Sequence, residues 1–349
     1  MMKRNSNIEL LRIICMFGII TMHTFGRFMW TCEENNLAYC VFINSVFNMG
    51  VTCFMLITGY YGAKFSSKKI VSLELMILLY GILGEVIVGA CTGSWSIKYL
   101  IKSAMPITSK KYWYMSVYMI ILCCSGFINK IPEGLDRKQF RNLLMILIMF
   151  FYLMPSFGYF QIMEDSGKGI ANMLVVYLTG RYLKKYYDNP MSSKKLFGIG
   201  SVVISASFLA NYLLSLLAKS YGYNVFIPFA RDNSITIYLG SVFFFLAFKN
   251  TEWHSAVINS LASCVLPTYL FEGFVRSIID HFFDISIYLN SIKLYAVIAV
   301  YVLVVMIVCS IVEFIRRNTL GKLDSRIYST IMGVWNWICN KCYRFVDKI

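Results

Sequence analysis

Charge is scarce in this sequence. Only 15% of its 349 residues are charged and 58% are hydrophobic, where a soluble domain carries roughly a quarter charged residues. Mean hydropathy is +0.62. That shortage excludes a water-soluble globular domain. No connection between hydrophobic runs is long enough to form a soluble domain of its own, and no low-complexity segment occurs. No internal repeat stands out, which weighs against the common repeat-built transporter folds. Most of the 11 cysteines sit in apolar runs, where Cys is a small hydrophobe. Cys339 and Cys342 form a single CxxC with no second pair, so neither a disulfide framework nor a metal site is expected. No small-residue cleavage site follows the first hydrophobic run, which reads as a retained signal-anchor helix.

What fills the chain is a series of long apolar runs. Ten can be marked, at roughly 8–30, 38–63, 70–91, 112–129, 142–158, 169–187, 196–217, 234–249, 256–279 and 290–315. Helix is the expected form, because each backbone polar group must be satisfied within its own crossing. The sequence therefore predicts an all-α polytopic membrane protein with about ten transmembrane helices. Net charge is +15. In a soluble protein that would suggest nucleic acid; here it reads as the excess of Lys and Arg on cytoplasmic loops, with no nucleic-acid partner expected. Placing the N-terminus inside puts 23 of the 33 Lys and Arg residues on the cytoplasmic side. Both termini are therefore expected in the cytoplasm. The outer loop 92–111 is an exception, with Lys98, Lys102, Lys110 and Lys111. It reads either as a contact for an anionic external substrate or as a miscounted crossing.

The first run, Asn7–Trp30, carries three polar groups that a purely structural crossing would avoid: Glu9, Arg12 and His23. Arg12 and His23 are eleven residues apart, about three helical turns, so they share a face at a separation of about 16 Å. Of the three histidines only His23 lies inside an apolar run; His254 sits in a polar loop and His281 at the end of the ninth run. A neutral imidazole within the membrane serves as a general base or as a nucleophile that accepts an acyl group. Arg12 reads either as a structural partner of Glu9 or as the ligand of an anion entering from the cytoplasm.

Other polar residues have paired readings. Gly59 and Gly62 suit close helix packing or a helix end. Lys64, Lys68 and Lys69 are ordinary cytoplasmic flank or a rim that binds the phosphates of a nucleotide-containing donor. Glu74 and Glu85 are embedded in the third run. Glu272 and Arg276, four apart in the ninth, can pair on one face and lie where an extracellular acceptor would reach them. Trp113, Tyr114 and Tyr118 open the fourth run at the expected outer boundary, as an aromatic belt or a stacking platform for sugar rings. In the tail, Ile327, Ile331, Trp335, Ile338, Cys342 and Phe345 recur at helical spacing between Arg326, Lys341 and Arg344. That pattern predicts an amphipathic helix on the inner leaflet over residues 318–349, following a membrane domain over 1–317.

The order of these phrases resembles the acyltransferase type 3 family of integral membrane acyltransferases, over about residues 1–315. The first run has the family's arginine, ten residues, then histidine, as Arg12 and His23 after NIELL. Cys53–Tyr61 reads CFMLITGYY, and YWYMSVYMIILCCSGFINK follows at the fourth run. VVYLTGRYLKKY and SLASCVLPTYLFEGFVR stand at the sixth and ninth. There are departures: lysines replace a pair of arginines after the second run, Thr58 replaces a serine, and Glu272 stands at a family histidine. Some members carry a fused extracytoplasmic hydrolase-like domain, which is not expected here.

The resemblance implies transfer of an acyl group, most often acetyl, from cytoplasmic acyl-CoA to a hydroxyl of a cell-surface or lipid-linked glycan, in a bacterial plasma membrane. Acetyl-CoA would be a substrate and no bound cofactor is implied. Arg12, Lys64, Lys68 and Lys69 would then face the donor, His23 with Arg12 would carry catalysis, and Trp113, Tyr114, Tyr118, Glu272 and Arg276 would face the acceptor. A transporter or flippase of a glycan or lipid intermediate is the rival reading, and dependence on acyl-CoA separates the two.

Overall fold

Each of the ten apolar runs is helical over most of its described residues in the computed structural model, which describes residues 5–28, 34–105, 111–157, 163–187, 191–289 and 291–346. No strand occurs among the described residues. The helices are α1 (Ser6–Phe25), α2 (Glu34–Phe47), α3 (Met49–Tyr61), α4 (Ser67–Thr92), α5 (Ile97–Ala104), α6 (Trp113–Ile128), α7 (Lys130–Gly134) and α8 (Arg137–Ile148). They continue with α9 (Met154–Phe157), α10 (Ile170–Tyr186), α11 (Ser193–Ser220), α12 (Ile235–Lys249), α13 (Ala256–Ala262), α14 (Val265–Phe282) and α15 (Lys293–Val346). A π-helical turn, Met149–Leu153, joins α8 to α9.

Seven stretches are long and apolar enough to cross a bilayer: Ser6–Phe25, Asn36–Tyr61, Ser67–Thr92, Trp113–Gly134, Arg137–Phe157, Ser193–Ser220 and Lys293–Thr319. The pair α13 and α14, bent by 52°, makes an eighth if counted as one span. The chain is a multi-pass membrane protein. Length and composition alone do not confirm ten crossings, since α10 and α12 have only 17 and 15 residues, about 26 and 23 Å against a hydrocarbon core of ~30 Å. Both helices pack on α3 inside the bundle. A helix enclosed by other helices can be short, since its end groups find protein partners.

The α3–α10 contact is unusually close. A Cβ on Gly59 would collide with the Tyr177 carbonyl, and one on Gly180 would lie 2.6 Å from both the Leu56 carbonyl and the Tyr60 nitrogen. Gly62 then ends α3 in a positive-φ conformation (79°), which a residue without Cβ adopts freely. The released Ala63 N–H donates to the Tyr177 hydroxyl at 3.0 Å, and Tyr177 donates to Asn129 Oδ1 at 2.7 Å. Asn129 returns a bond to the Ala63 carbonyl at 2.8 Å. The end of α3 is thus fixed to α10 and α6 by a closed set of hydrogen bonds.

This end of the bundle also holds the start of α1. The Ser6 N–H donates to the Trp253 carbonyl and the Asn7 side chain to the Thr251 carbonyl, at 3.1 and 2.8 Å. It is called the Arg12 end below, and the opposite one the His23 end. A buried carboxylate, Glu313 of α15, collects Tyr80 of α4 together with Arg316 and Arg317. Arg317 reaches on to the Ser263 carbonyl at 2.8 Å, at the break between α13 and α14. The broken span is therefore tied to α15 at the point where its own ladder is interrupted.

The expected boundary between a membrane domain and a tail at residues 317 and 318 is not marked by a break, since α15 runs through as one helix of 54 residues. The side chains of Arg326, Ile327, Trp335, Ile338, Lys341, Cys342, Arg344 and Phe345 lie outside the described residues.

Candidate functional site

The N-terminal face of α1 is set by its cap. Asn5 accepts from the Asn7 N–H, and Glu9 falls in the first turn, where a negative charge complements the helix dipole. Arg12 donates to Glu9 Oε2 at 3.2 Å while its side chain remains 33% exposed. The structural ion pair and an open guanidinium face therefore coexist. Arg12 also lies within electrostatic reach of the Tyr114 phenol.

His23 stands in the last turn of the same helix. Its Nδ1 is 2.8 Å from Glu272 Oε1 on α14. Thr268, Glu272, Arg276 and Asp280 recur every fourth residue, so they make a polar stripe along α14. Arg276 grips Glu272 through Nε on Oε2 and through Nη2 on Oε1 at 3.3 Å. Its Nη1 donates to the His23 carbonyl at 3.1 Å. Asp280 accepts from the Tyr301 hydroxyl at 2.8 Å, and the Leu270 carbonyl accepts from Tyr112 at 2.8 Å. α14 is thereby held on both flanks, and the carboxylate is held with it.

The chemical consequence concerns the imidazole tautomer. A carboxylate that already accepts from a guanidinium has no proton to give, so the Nδ1 proton belongs to His23 and Nε2 carries the lone pair. The Glu272 side chain is 6% exposed and that of His23 is 42% exposed. The imidazole is therefore partly open while the carboxylate that holds it is buried.

Glu272 and Arg276 pair as their spacing predicts. Glu272 also bonds His23, and Arg276 bonds both Glu272 and the His23 carbonyl. The aromatic residues of the fourth run form a cluster. Tyr114 lies against Phe54 of α3 and Tyr269 of α14, with ring centroids 6.4 and 6.3 Å apart, and stacks on Tyr118 at 6.5 Å. Lys69, at the start of α4, sits over the Tyr118 ring at 5.5 Å. These partly buried rings pack together where α3, α4, α6 and α14 meet. Trp113 is edge-on to Tyr114 at 6.0 Å. The cluster follows from the position of α6, whose first turn starts beside Tyr269, one turn before Glu272.

Lys64 is exposed just after α3, and Lys68 and Lys69 open α4 at the Arg12 end. Of the basic outer loop, Lys111 is neutralised by Glu85 at 2.9 Å and bonded to Ser103 at 2.6 Å; Lys110 lies outside the described residues. Glu74 is embedded with its Oε2 unpartnered among the described residues. His254 and His281 are both exposed and take no part in the site. The sequence pattern does not connect Glu272 to His23, does not single out Glu313, and shows Arg181, Lys184 and Lys249 only as flanking charge. An apolar groove of about 480 Å³ between α1, α14 and α15 is lined by Ile13, Met16 and Thr268 among others. It suits hydrocarbon and lacks charged groups.

Fold and site together define a multi-pass helical membrane protein with a buried carboxylate orienting a membrane-embedded histidine. The profile of the acyltransferase type 3 family, described as an acyltransferase domain, matches residues 5–313. The chain belongs to that family. No curated protein and no solved structure matches it.

Proposed function

We propose that the protein is an O-acyltransferase that moves an acyl group, most often acetyl, from cytoplasmic acyl-CoA to a hydroxyl of a cell-surface or lipid-linked glycan at the bacterial plasma membrane. Membership of the acyltransferase family supports the reaction class. The observation that carries the mechanism is the His23–Glu272 hydrogen bond at 2.8 Å, about 16 Å along one helix face from Arg12. With the N-terminus inside, the Arg12 end is cytoplasmic, and the donor's phosphates meet Arg12, Lys64, Lys68 and Lys69. The uncharged pantetheine arm then runs along α1 past Tyr114 and Tyr118 to bring the thioester to His23.

In the general-base route, His23 Nε2 takes the proton of the acceptor hydroxyl as its oxygen attacks the thioester carbonyl. The C–S bond breaks, the ester forms, and the CoA thiolate leaves with the proton that Nε2 received. Glu272 stabilises the imidazolium between these steps. In the covalent route, the same Nε2 attacks the thioester carbonyl, the C–S bond breaks and the CoA thiolate leaves; the hydroxyl then attacks the acyl-imidazole, the C–N bond breaks, and the hydroxyl proton goes to the thiolate, restoring neutral His23. Trapping of an acetylated protein in the absence of acceptor separates the two. Trp113, edge-on to Tyr114, flanks the tyrosine cluster.

The test is His23→Ala. Glycan acetylation, read by proton NMR of surface polymers, is expected to fall to background while the variant accumulates normally in the membrane. Normal acetylation would sink the proposal. A purified protein that binds acetyl-CoA without ever consuming it would favour transport.

A further inference from the structure

Three buried polar atoms at the Arg12 end have no hydrogen-bond partner among the described residues: Arg181 Nε, the Tyr187 hydroxyl and Asn250 Oδ1. Leaving such groups unpaired costs roughly 1–3 kcal/mol each, so a cluster of them points to a missing partner. Two of the three are donors, and further donors surround them. Lys184 lies over the Tyr60 ring at 5.0 Å, and Lys249 lies over Tyr60 and Tyr187 at 5.9 and 5.6 Å. The Arg181 guanidinium is packed against the end of α3, where a Cβ on Gly62 would lie 2.6 Å from its Nη1. None of these three cations pairs with a carboxylate among the described residues. Neighbouring cations without counterions, backed by aromatic faces and orphaned donors, make a seat for an anion of several charges.

We propose that Arg181, Lys184 and Lys249, with the rings of Tyr60 and Tyr187, seat the phosphates of the donor's nucleotide. This rests on the acyl-CoA reading above and assigns a different set of residues from Arg12 and the lysines of α4. The seat adjoins the path to His23, because Tyr61, next to Tyr60, is within electrostatic reach of Glu9, the partner of Arg12. Glu252 is the acid that acts on Tyr60 from the end of α12. An anionic lipid headgroup shares the phosphate chemistry. The nucleotide is favoured because the unpaired atoms are buried where α3, α10 and the end of α12 meet.

The test uses the full-length protein in phosphatidylcholine nanodiscs, titrated with coenzyme A, adenosine 3′,5′-bisphosphate and pantetheine. Wild type is expected to bind coenzyme A more tightly than pantetheine. Arg181→Ala and Lys249→Gln are expected to weaken coenzyme A and the bisphosphate by about tenfold or more each, as loss of a charge-assisted contact requires, and so to narrow that preference. Lys184→Gln alters an exposed side chain and keeps the test readable if a more buried variant fails to fold. Unchanged coenzyme A affinity in all three variants overturns this seat while leaving the donor reading intact. Wild type that binds neither coenzyme A nor the bisphosphate overturns both. In discs containing phosphatidylglycerol, variants that lose retained phosphatidylglycerol but keep bisphosphate affinity would show a lipid site and overturn the proposal.

Discussion

Glu272 acts on His23 through geometry and charge, and each can be removed separately. In Glu272→Gln the side chain keeps its size, but an amide can present either a donor or an acceptor to Nδ1. The tautomer with a free Nε2 lone pair is then no longer enforced. Acyl transfer by membranes carrying this variant is expected to fall by about 10²- to 10⁴-fold, the usual worth of a placed acid–base group. Retention of the wild-type rate would show that His23 needs no orienting partner. A second carboxylate behaves differently. Asp232, in the connection before α12 and outside the spanning segments, is 4% exposed, and its Oδ1 has no partner among the described residues. Burial pushes its pKa up from 3.8 to about 6, Lys168 opposing and Asp165 adding to the shift. Because the folded-state value is the higher one, folding favours the protonated form. Stability is greatest below the ordinary carboxyl value, declines as pH rises from about 4 to about 6, and is level above. The size is roughly 3 kcal/mol at most. Purified wild type is expected to melt at a lower temperature at pH 7 than at pH 5, and Asp232→Asn to lose that difference and gain stability at pH 7.

Among the helices, the contact between α3 and α10 positions the Arg12 end. Gly59 and Gly180 bring two backbones close enough for hydrogen bonds at the helix end to bridge them. A methyl at residue 180 would have to displace the backbone at Leu56 and Tyr60, and backbone cannot yield as a flexible side chain does. Gly180→Ala is expected to destabilise the protein by about 1–3 kcal/mol, the cost of overpacking a tight core. Thermal unfolding in detergent reads this directly, with Gly198→Ala as control, since a Cβ there meets nothing within 4 Å. The sequence phrase around Gly59 and Gly62 announced close packing and a helix end, and both occur. It could not announce the partner, because Tyr177 and Gly180 lie more than a hundred residues away. The same distance hid the Glu272–His23 pair, which spans 249 residues. Only the local Glu272–Arg276 spacing was visible.

For the chain as a whole, the bias of Lys and Arg predicts cytoplasmic termini, and the Arg12 end is then the donor side. A membrane-impermeant maleimide is expected to label Lys168→Cys in intact cells above the native-cysteine background, and Lys195→Cys only after lysis. The reverse pattern would invert the proposed route along α1.

The sequence by itself determined the class and the principal actors. Apolar runs that must satisfy their own backbone can only be helices, and a face shared by Arg12 and His23 follows from 3.6 residues per turn. Membership of the acyltransferase family was legible from five phrases in order. What only the tertiary structure decided was which of these helices are short interior ones, which carboxylate orients His23, and where the aromatic rings lie. It also brought Arg181, Lys184 and Lys249 from α10 and α12 to one end. The reason is that local periodicity fixes a residue's position around its own helix axis. Its neighbours across the bundle depend on how distant helices pack, and in a contact such as Gly59 on Tyr177 the partner's identity leaves no local trace.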